Sequence, residues 1–243
     1  TRGCAQNELM RVRVVGAGRA GGALALALER VGWTVEPMLG RGYDRTNAAQ
    51  EVDLLVLAVP DPVIAAVADT IEPAAGTVVA HLAGSLGLDV LAGHPRPAAL
   101  HPLVALPDAE TGAARLAGGA WFAVAGDPLV RQVVADLGGH AFTVADEDRT
   151  RYHAAAVIAS NHLVALLGQV ERVAPEGVPL EAFLALVRGT VDNVATLGPA
   201  AALTGPVARG DWAAVERHLA ALPVDERPAY EAMVAQARRL LDG

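Results

Sequence analysis

Hydrophobic and polar positions follow two different rhythms along the chain. Up to about residue 146, short apolar runs alternate with helical stretches. The runs are Arg11–Val15, Trp33–Leu39, Asp53–Ala58, Thr77–His81, Ala98–His101, Trp121–Ala125 and Ala141–Val144. A run such as Leu54-Leu55-Val56-Leu57-Ala58-Val59 shows no polar alternation, which marks a strand covered on both faces, and helices between such strands imply right-handed parallel crossovers. The predicted class is therefore α/β, with a doubly wound parallel sheet. From Asp146 onward the β-type runs stop. Helical patterns cover Arg149–Val173, Leu180–Leu197, Asp211–Leu222 and Asp225–Leu241, separated by prolines such as Pro175, Pro199, Pro206 and Pro223. The pattern divides the chain into an α/β domain, residues 1–147, and a smaller all-helical domain, residues 148–243.

The first strand runs directly into Gly16-Ala17-Gly18-Arg19-Ala20-Gly21 and then into the helical stretch Ala23–Arg30. A Gly-x-Gly-x-x-Gly turn between a strand and a helix is a dinucleotide site. Gly16 permits the tight turn, Gly18 lets backbone approach a pyrophosphate, and Gly21 lets helix and strand pack closely. The helix N-terminus supplies unpaired N–H groups. About 20 residues past the glycines, NAD enzymes of this Rossmann type usually place an acid against the ribose 2′-hydroxyl. Here the second strand ends Leu39-Gly40-Arg41. Glu36 comes too early and Asp44 too late, so the guanidinium of Arg41 stands where a 2′-phosphate would bind, and NADP(H) is the predicted cofactor.

Composition narrows the chemistry. The 243 residues are 53% hydrophobic, enough for a full core. A net charge of −8 with no basic stripe argues against nucleic acid as partner. All 19 basic residues are arginines, which removes Schiff-base chemistry, the P-loop lysine and any lysine acid or base. Cys4 is the single cysteine, so no internal disulfide forms, and a reducing, cytoplasmic setting fits. No signal peptide or membrane span is read from the sequence. The seven histidines show no metal-ligand spacing.

Candidate reactive groups collect where parallel strands end. Val59-Pro60-Asp61-Pro62 follows the third strand, so Val59 and Pro60 are expected to line the cofactor, while Asp61 reads as the cap of the next helix. His81 ends the fourth strand and His101 the fifth, on the same edge of a parallel sheet, so His81 is expected to line the cofactor and His101 to stand among the catalytic groups. The helix opening the second domain reads Tyr152-His153-Ala154-Ala155-Ala156-Val157-Ile158-Ala159-Ser160-Asn161-His162. At about 100° per residue, Ser160 and Asn161 lie about 20° and 80° from His153 on one face, with His162 opposite. A polar face on an apolar helix needs partners, either in an inter-domain cleft or in a buried structural network. The alanine-rich face suits either close packing within the chain or contact with a second subunit.

The segments Gly16–Gly21, Leu57-Ala58-Val59-Pro60-Asp61, His81-Leu82-Ala83-Gly84-Ser85, His101-Pro102-Leu103, Tyr152–Ala156 and Ala202–Asp211 resemble a bacterial Rossmann-like oxidoreductase family with a C-terminal all-helical domain. That family is related to ketopantoate reductases, prephenate dehydrogenases and pyrroline-carboxylate reductases. Ketopantoate reductases carry Lys-x-x-x-Asn-x-x-x-Asn on the matching helix. The resemblance places His153 at the lysine position, Val157 at the middle asparagine and Asn161 at the last. It implies an NADPH-dependent reductase of a small carboxylic oxo acid, ketopantoate first, acting as a homodimer through the helical domain. His153 would be the proton donor with His101 and Ser160 nearby, Asn161 would hold the alkoxide, and Thr204 and Arg209 would contact substrate. Asp211 reads as a helix cap. A related imine reductase or dehydrogenase, and a non-catalytic NADP-binding regulator, are the alternatives.

Overall fold

The computed structural model describes residues 9–242, so the expectation about Cys4 lies outside the described residues. The strands are β1 (Arg11–Val15), β2 (Thr34–Val35), β3 (Leu54–Leu57), β4 (Val78–His81), β5 (Pro97–Pro102), β6 (Trp121–Gly126) and β7 (His140–Thr143). The helices among them are α1 (Arg19–Arg30), α2 (Ile64–Ala68), α3 (Ala109–Leu116) and α4 (Leu129–Asp136). The strands form one sheet in the order β2-β1-β3-β4-β5-β6-β7. The apolar runs of β3 and β4 are fully buried, as two-sided burial requires.

Two strand features differ from the sequence expectation. Only Thr34 and Val35 of Trp33–Leu39 form a ladder, with an isolated bridge from Leu39 to Val15. Pro37 has no N–H to donate and interrupts the strand between them. The sheet is also mixed, because β5 and β6 pair antiparallel while every other pair is parallel. The helix between them, α3, packs along α1 and opens with a cap in which Asp108 accepts from the Thr111 N–H at 2.7 Å. The chain thus returns without crossing over.

The parallel part sets the position of the reactive edge. Val15 pairs with Leu57 and Leu57 with His81, while His81 pairs with Ala99, two residues before His101. The carboxyl ends of β1, β3, β4 and β5 therefore share one edge, as parallel register demands. One hydrophobic core lies on each face. The first gathers Leu24, Leu28, Leu54, Leu100 and Phe122, and the second Leu55, Leu57, Ile64, Val79 and Leu91.

After β7 the chain is helical. It comprises α5 (Arg149–Val157), a π-turn over Ile158–His162, α6 (Leu163–Val173), α7 (Leu180–Leu197), the short α8 (Pro199–Ala202) and α9 (Pro206–Arg209), α10 (Trp212–Ala221) and α11 (Arg227–Arg239). Contacts divide the chain into Thr1–Ser160 and Asn161–Gly243. This division falls inside the long helix, past the 147/148 boundary read from the sequence, because α5 packs on the sheet unit. The π-turn also changes the helical-wheel reading. It adds a residue to one turn, so Ser160 and Asn161 leave the face that uninterrupted α geometry assigns them relative to His153. The stretch Asp146–Val173 is also long and apolar enough by length and composition to cross a membrane, which the sequence reading did not anticipate. It is not uniformly apolar, carrying Arg149, Tyr152, His153, Asn161, Gln169 and Arg172 along its length.

Candidate functional site

The glycine turn has the geometry each glycine was expected to supply. Gly16 sits at φ +112°, and a Cβ there would lie 2.3 Å from the Ala58 carbonyl oxygen. A Cβ on Gly21 would lie 2.1 Å from the Gly16 carbonyl oxygen and 3.1 Å from Val14. Gly18 faces open space, which leaves room for a ligand to reach its backbone. It precedes α1 as a cap residue without a capping side chain, and the first helical turn contains no acid. Ala17 and Arg19 are exposed and Ala20 is half-buried around these open N–H groups.

A pocket of about 350 Å³ opens over the turn, lined by Gly16, Gly18, Arg41, Arg45, Val59 and Pro60. Arg41 is exposed on its rim. Arg45, which the sequence reading missed, donates to the Gly40 carbonyl at 2.8 Å, and its Nε is buried without a partner among the described residues. Its signal was the Arg41-x-x-x-Arg45 spacing. Neither nearby acid competes for a ribose hydroxyl. Glu36 is paired with Arg11, whose hydrogen bond and charge hold its carboxyl below the usual range. Asp44 accepts from the Thr46 N–H and hydroxyl, which lower its pKa in the same direction. The pocket therefore fits a dinucleotide phosphate chain, with a cationic rim at the tip of β2.

The loop that lines this pocket leads into a second polar group. Asp61 does not cap the following helix; it accepts a hydrogen bond from the Ser85 hydroxyl at 3.0 Å and ties the Pro60 turn to the loop after β4. His81 shapes the same loop. Its Nδ1 accepts from the Ala83 N–H at 3.2 Å, so its Nε2 carries the hydrogen and donates to the Gly87 carbonyl at 3.1 Å. The ring is fully buried, and burial pushes its pKa down. His81 therefore has no free edge for a cofactor, contrary to the sequence expectation. A parallel strand end was the right place to look, but the ring turned inward to satisfy a tight loop.

His101 and α5 meet over Gly84. A Cβ on Gly84 would lie 2.8 Å from His101 Nε2 and 2.9 Å from His153 Cδ2, so only glycine leaves room for both rings. The rings stand edge to face with centroids 6.0 Å apart. On the far side of His101, its Nδ1 lies 2.7 Å from the Tyr152 hydroxyl. Tyr152 packs in turn on Phe142 of β7 at a centroid distance of 5.7 Å. Burial, reinforced by His153, holds the His101 pKa down to about 4, and burial pushes Tyr152 up to about 12. Both groups are thus neutral near pH 7.

Beneath them lies Arg149, whose side chain is 0% exposed. Its Nε donates to Asp146 at 2.9 Å, while Nη1 and Nη2 have no partner among the described residues. Its charge disfavours protonation of both His81 and His101. Sequence reasoning missed Arg149 and left Tyr152 without a role. An arginine opening a helix after three acids reads as a solvated charge, and only burial distinguishes it.

The other sequence candidates belong to the π-turn and the helical unit. Ser160 and Asn161 are exposed in the π-turn. Thr204 lines a groove of about 600 Å³ within the helical unit with Leu186, Asn193 and Leu203. Arg209 is exposed at the end of α9, and Asp211 caps α10 by accepting from the Ala214 N–H at 3.0 Å, as expected.

Residues 122–237 match a family described as a domain of unknown function, DUF2520. No curated protein matches the chain. Solved structures show the fold. A provisionally assigned NADP oxidoreductase from Bacteroides fragilis is 19% identical with a TM-score of 0.77, covering 95% of this chain and 98% of its own. A Thermotoga maritima protein is 24% identical with a TM-score of 0.72 over the same shares. A reductive aminase from Aspergillus terreus, in complex with NADPH4, cyclohexanone and allyl amine, is 18% identical with a TM-score of 0.69, covering 95% of this chain and 94% of its own. The chain therefore has a Rossmann-like α/β fold followed by a helical part.

The imidazoles of this site make stability depend on pH. The folded His101 and His81 bind a proton less readily than an unfolded imidazole, whose ordinary value is 6.5. Their contribution is complete above that pH and is lost as pH falls, for His101 toward about 4. Urea midpoints measured between pH 7.5 and 4.5 should fall, and His101→Asn should flatten part of that fall. An identical slope in the variant would show that His101 does not titrate as described.

Proposed function

We propose that this protein is an NADPH-dependent oxidoreductase that reduces a small oxo acid, with 2-dehydropantoate (ketopantoate) the first substrate to test. The observation that carries the reading is continuity. The glycine-turn pocket, with Arg41 and Arg45 at one end, is bounded by Pro60 at the other, and the Asp61–Ser85 hydrogen bond ties that turn to the loop whose Gly84 touches the two imidazoles. The N–H groups at the start of α1 would hold the phosphates of a dinucleotide, and the strand edge leads on from there toward the histidines. The NADP and NADPH named for the structural relatives support the same cofactor.

NADPH would supply the hydride. The residues of this chain hold the nucleotide, exclude water around the reacting carbon and provide a proton to the heteroatom. In this reading the proton comes from the imidazole pair His101 and His153, the latter being the acid expected from the sequence. Ser160 and Asn161, turned off the His153 face by the π-turn, have no part in this reading. A C=N substrate is the second reading, favoured by the likeness to a reductive aminase. A regulator that binds NADPH without turnover is the third.

We also propose a cytoplasmic homodimer formed through the helical unit. Among the described residues of that unit only Ala214, Val215 and Glu226 are buried, while Val164 and Leu186 are 69% and 68% exposed. So many exposed large apolar side chains in one unit call for a covering surface, and a second copy supplies a matching one.

Three measurements test these readings. In a fluorescence titration, NADPH should bind at least about tenfold more tightly than NADH, and Arg41→Ala should remove that preference while leaving NADH affinity unchanged. Equal affinities in the wild type would refute the phosphate assignment. Consumption of NADPH with a panel of oxo acids and imines should identify the substrate class, and His153→Ala should lower kcat by about 10- to 100-fold. Full activity in that variant would exclude His153 as a participant. Tight NADPH binding without turnover on the whole panel would favour the regulator. In light scattering the wild type should have twice the chain mass, with Val164→Glu/Leu186→Glu shifted to the monomer. A monomeric wild type would overturn the dimer.

A further inference from the structure

The group around His101 contains more than a reductase of this kind needs for a single donated proton. Tyr152 bonds to the Nδ1 side of the ring, and Nε2 on the other side lies 2.8 Å from where a Cβ of Gly84 would stand. That nitrogen makes no hydrogen bond among the described residues, yet it is not one of the buried unpartnered atoms, so a ligand can reach it. Arg149 lies close enough to act electrostatically on both His101 and Tyr152, and its two terminal nitrogens are buried and unpartnered. A guanidinium buried with one carboxylate contact has been stripped of water without full compensation. It is an arrangement that a transient negative charge would complete.

We propose, resting on the reductase reading above, that His101 and Tyr152 form a two-member proton relay to the substrate, with Arg149 as the buried cation that stabilises the phenolate left behind. As hydride reaches the carbonyl carbon, the C=O π pair becomes a lone pair on oxygen. The His101 Nε2–H bond breaks and an O–H bond forms. At the same time Nδ1 takes the phenolic proton of Tyr152. The imidazole remains neutral throughout with its tautomer exchanged, the product alcohol is neutral, and one negative charge rests on the Tyr152 oxygen. Water returns a proton to the phenolate, and the ring regains its first tautomer once the product has left. An imine substrate takes its proton at nitrogen in the same way.

Electrostatics favours this relay over an imidazolium acid. His153, Arg149 and His81 all oppose a positive His101, and among the charged groups acting on it only Asp61 favours one. Burial is the largest of the effects that oppose it. For Tyr152, burial opposes the phenolate and Arg149 favours it, which suits a charge that exists only briefly. His153 then has a positioning role: its ring stands edge to face against His101 with centroids 6.0 Å apart and holds that imidazole in place.

The relay requires that resting His101 carry its hydrogen on Nε2 and accept from Tyr152. Nitrogen-15 NMR of histidine-labelled protein without nucleotide reads this directly, the His101 signals being those lost in His101→Asn. The expected wild-type spectrum has an unprotonated Nδ1 and a protonated Nε2, still neutral at pH 6. Tyr152→Phe keeps the packing on Phe142 and should produce mixed tautomers, with kcat about 10²-fold lower and KM unchanged. Arg149→Gln should move His101 protonation to higher pH. A wild-type Nδ1–H tautomer, or a Tyr152→Phe variant with unchanged tautomer and kcat, overturns the relay while separately measured NADPH binding leaves the reductase reading intact. Absence of NADPH binding in the wild type overturns that reading and the relay with it.

Discussion

The contact on which the rest of the site depends is the 2.7 Å hydrogen bond between Tyr152 and His101, whose ring packs closely on a loop because position 84 is glycine. It joins the first turns of α5 to the carboxyl edge of β5. One partner belongs to the sheet and the other to the helix that leads out of it, so the bond settles both the orientation of the imidazole and the placement of the helix. Arg149, one turn earlier, is carried into the interior by the same docking. Its unpartnered nitrogens are a consequence of that placement, since no carbonyl or carboxylate on the covered loop reaches them.

The edge itself follows from register. Parallel pairing of β1, β3, β4 and β5 brings their carboxyl ends level, and α1 begins at that level because Gly16 and Gly21 let helix, turn and strand approach within contact distance. The nucleotide pocket and the imidazole pair are therefore neighbours by construction, linked through Asp61 and Ser85. The electrostatics is equally ordered. Cationic groups at the β2 tip suit phosphate, while burial first, with the charge of Arg149 added to it, disfavours a positive His101, so that proton transfer there requires no stable imidazolium.

Much of this architecture was legible in the residues. Uninterrupted apolar runs located every strand but β2 within a residue or two, and the three glycines matched their geometric roles because each role is a steric condition on one position. The histidines were harder. His81 and His101 both end parallel strands, yet one ring turns inward to bond Gly87 and Ala83, and the other stays open beside Tyr152. Their local sequences, His-Leu-Ala and His-Pro-Leu, contain no signal for that difference. The face shared by His153, Ser160 and Asn161 rested on continuous α geometry, which the π-turn at Ile158–His162 interrupts.

The sequence by itself determined the α/β class, the glycine turn, the arginine at the β2 tip and the absence of lysine chemistry. These depend on short-range sterics, periodicity and composition, which a linear pattern records. Tertiary structure alone decided that β6 runs antiparallel to β5, that Asp61 reaches Ser85 and that Arg149 is buried. It also decided that Tyr152 is the partner of His101. Each of these depends on which surfaces meet across long chain separations. Burial converts an ordinary arginine or tyrosine into a functional group by removing its water, and no local pattern of residues encodes that removal.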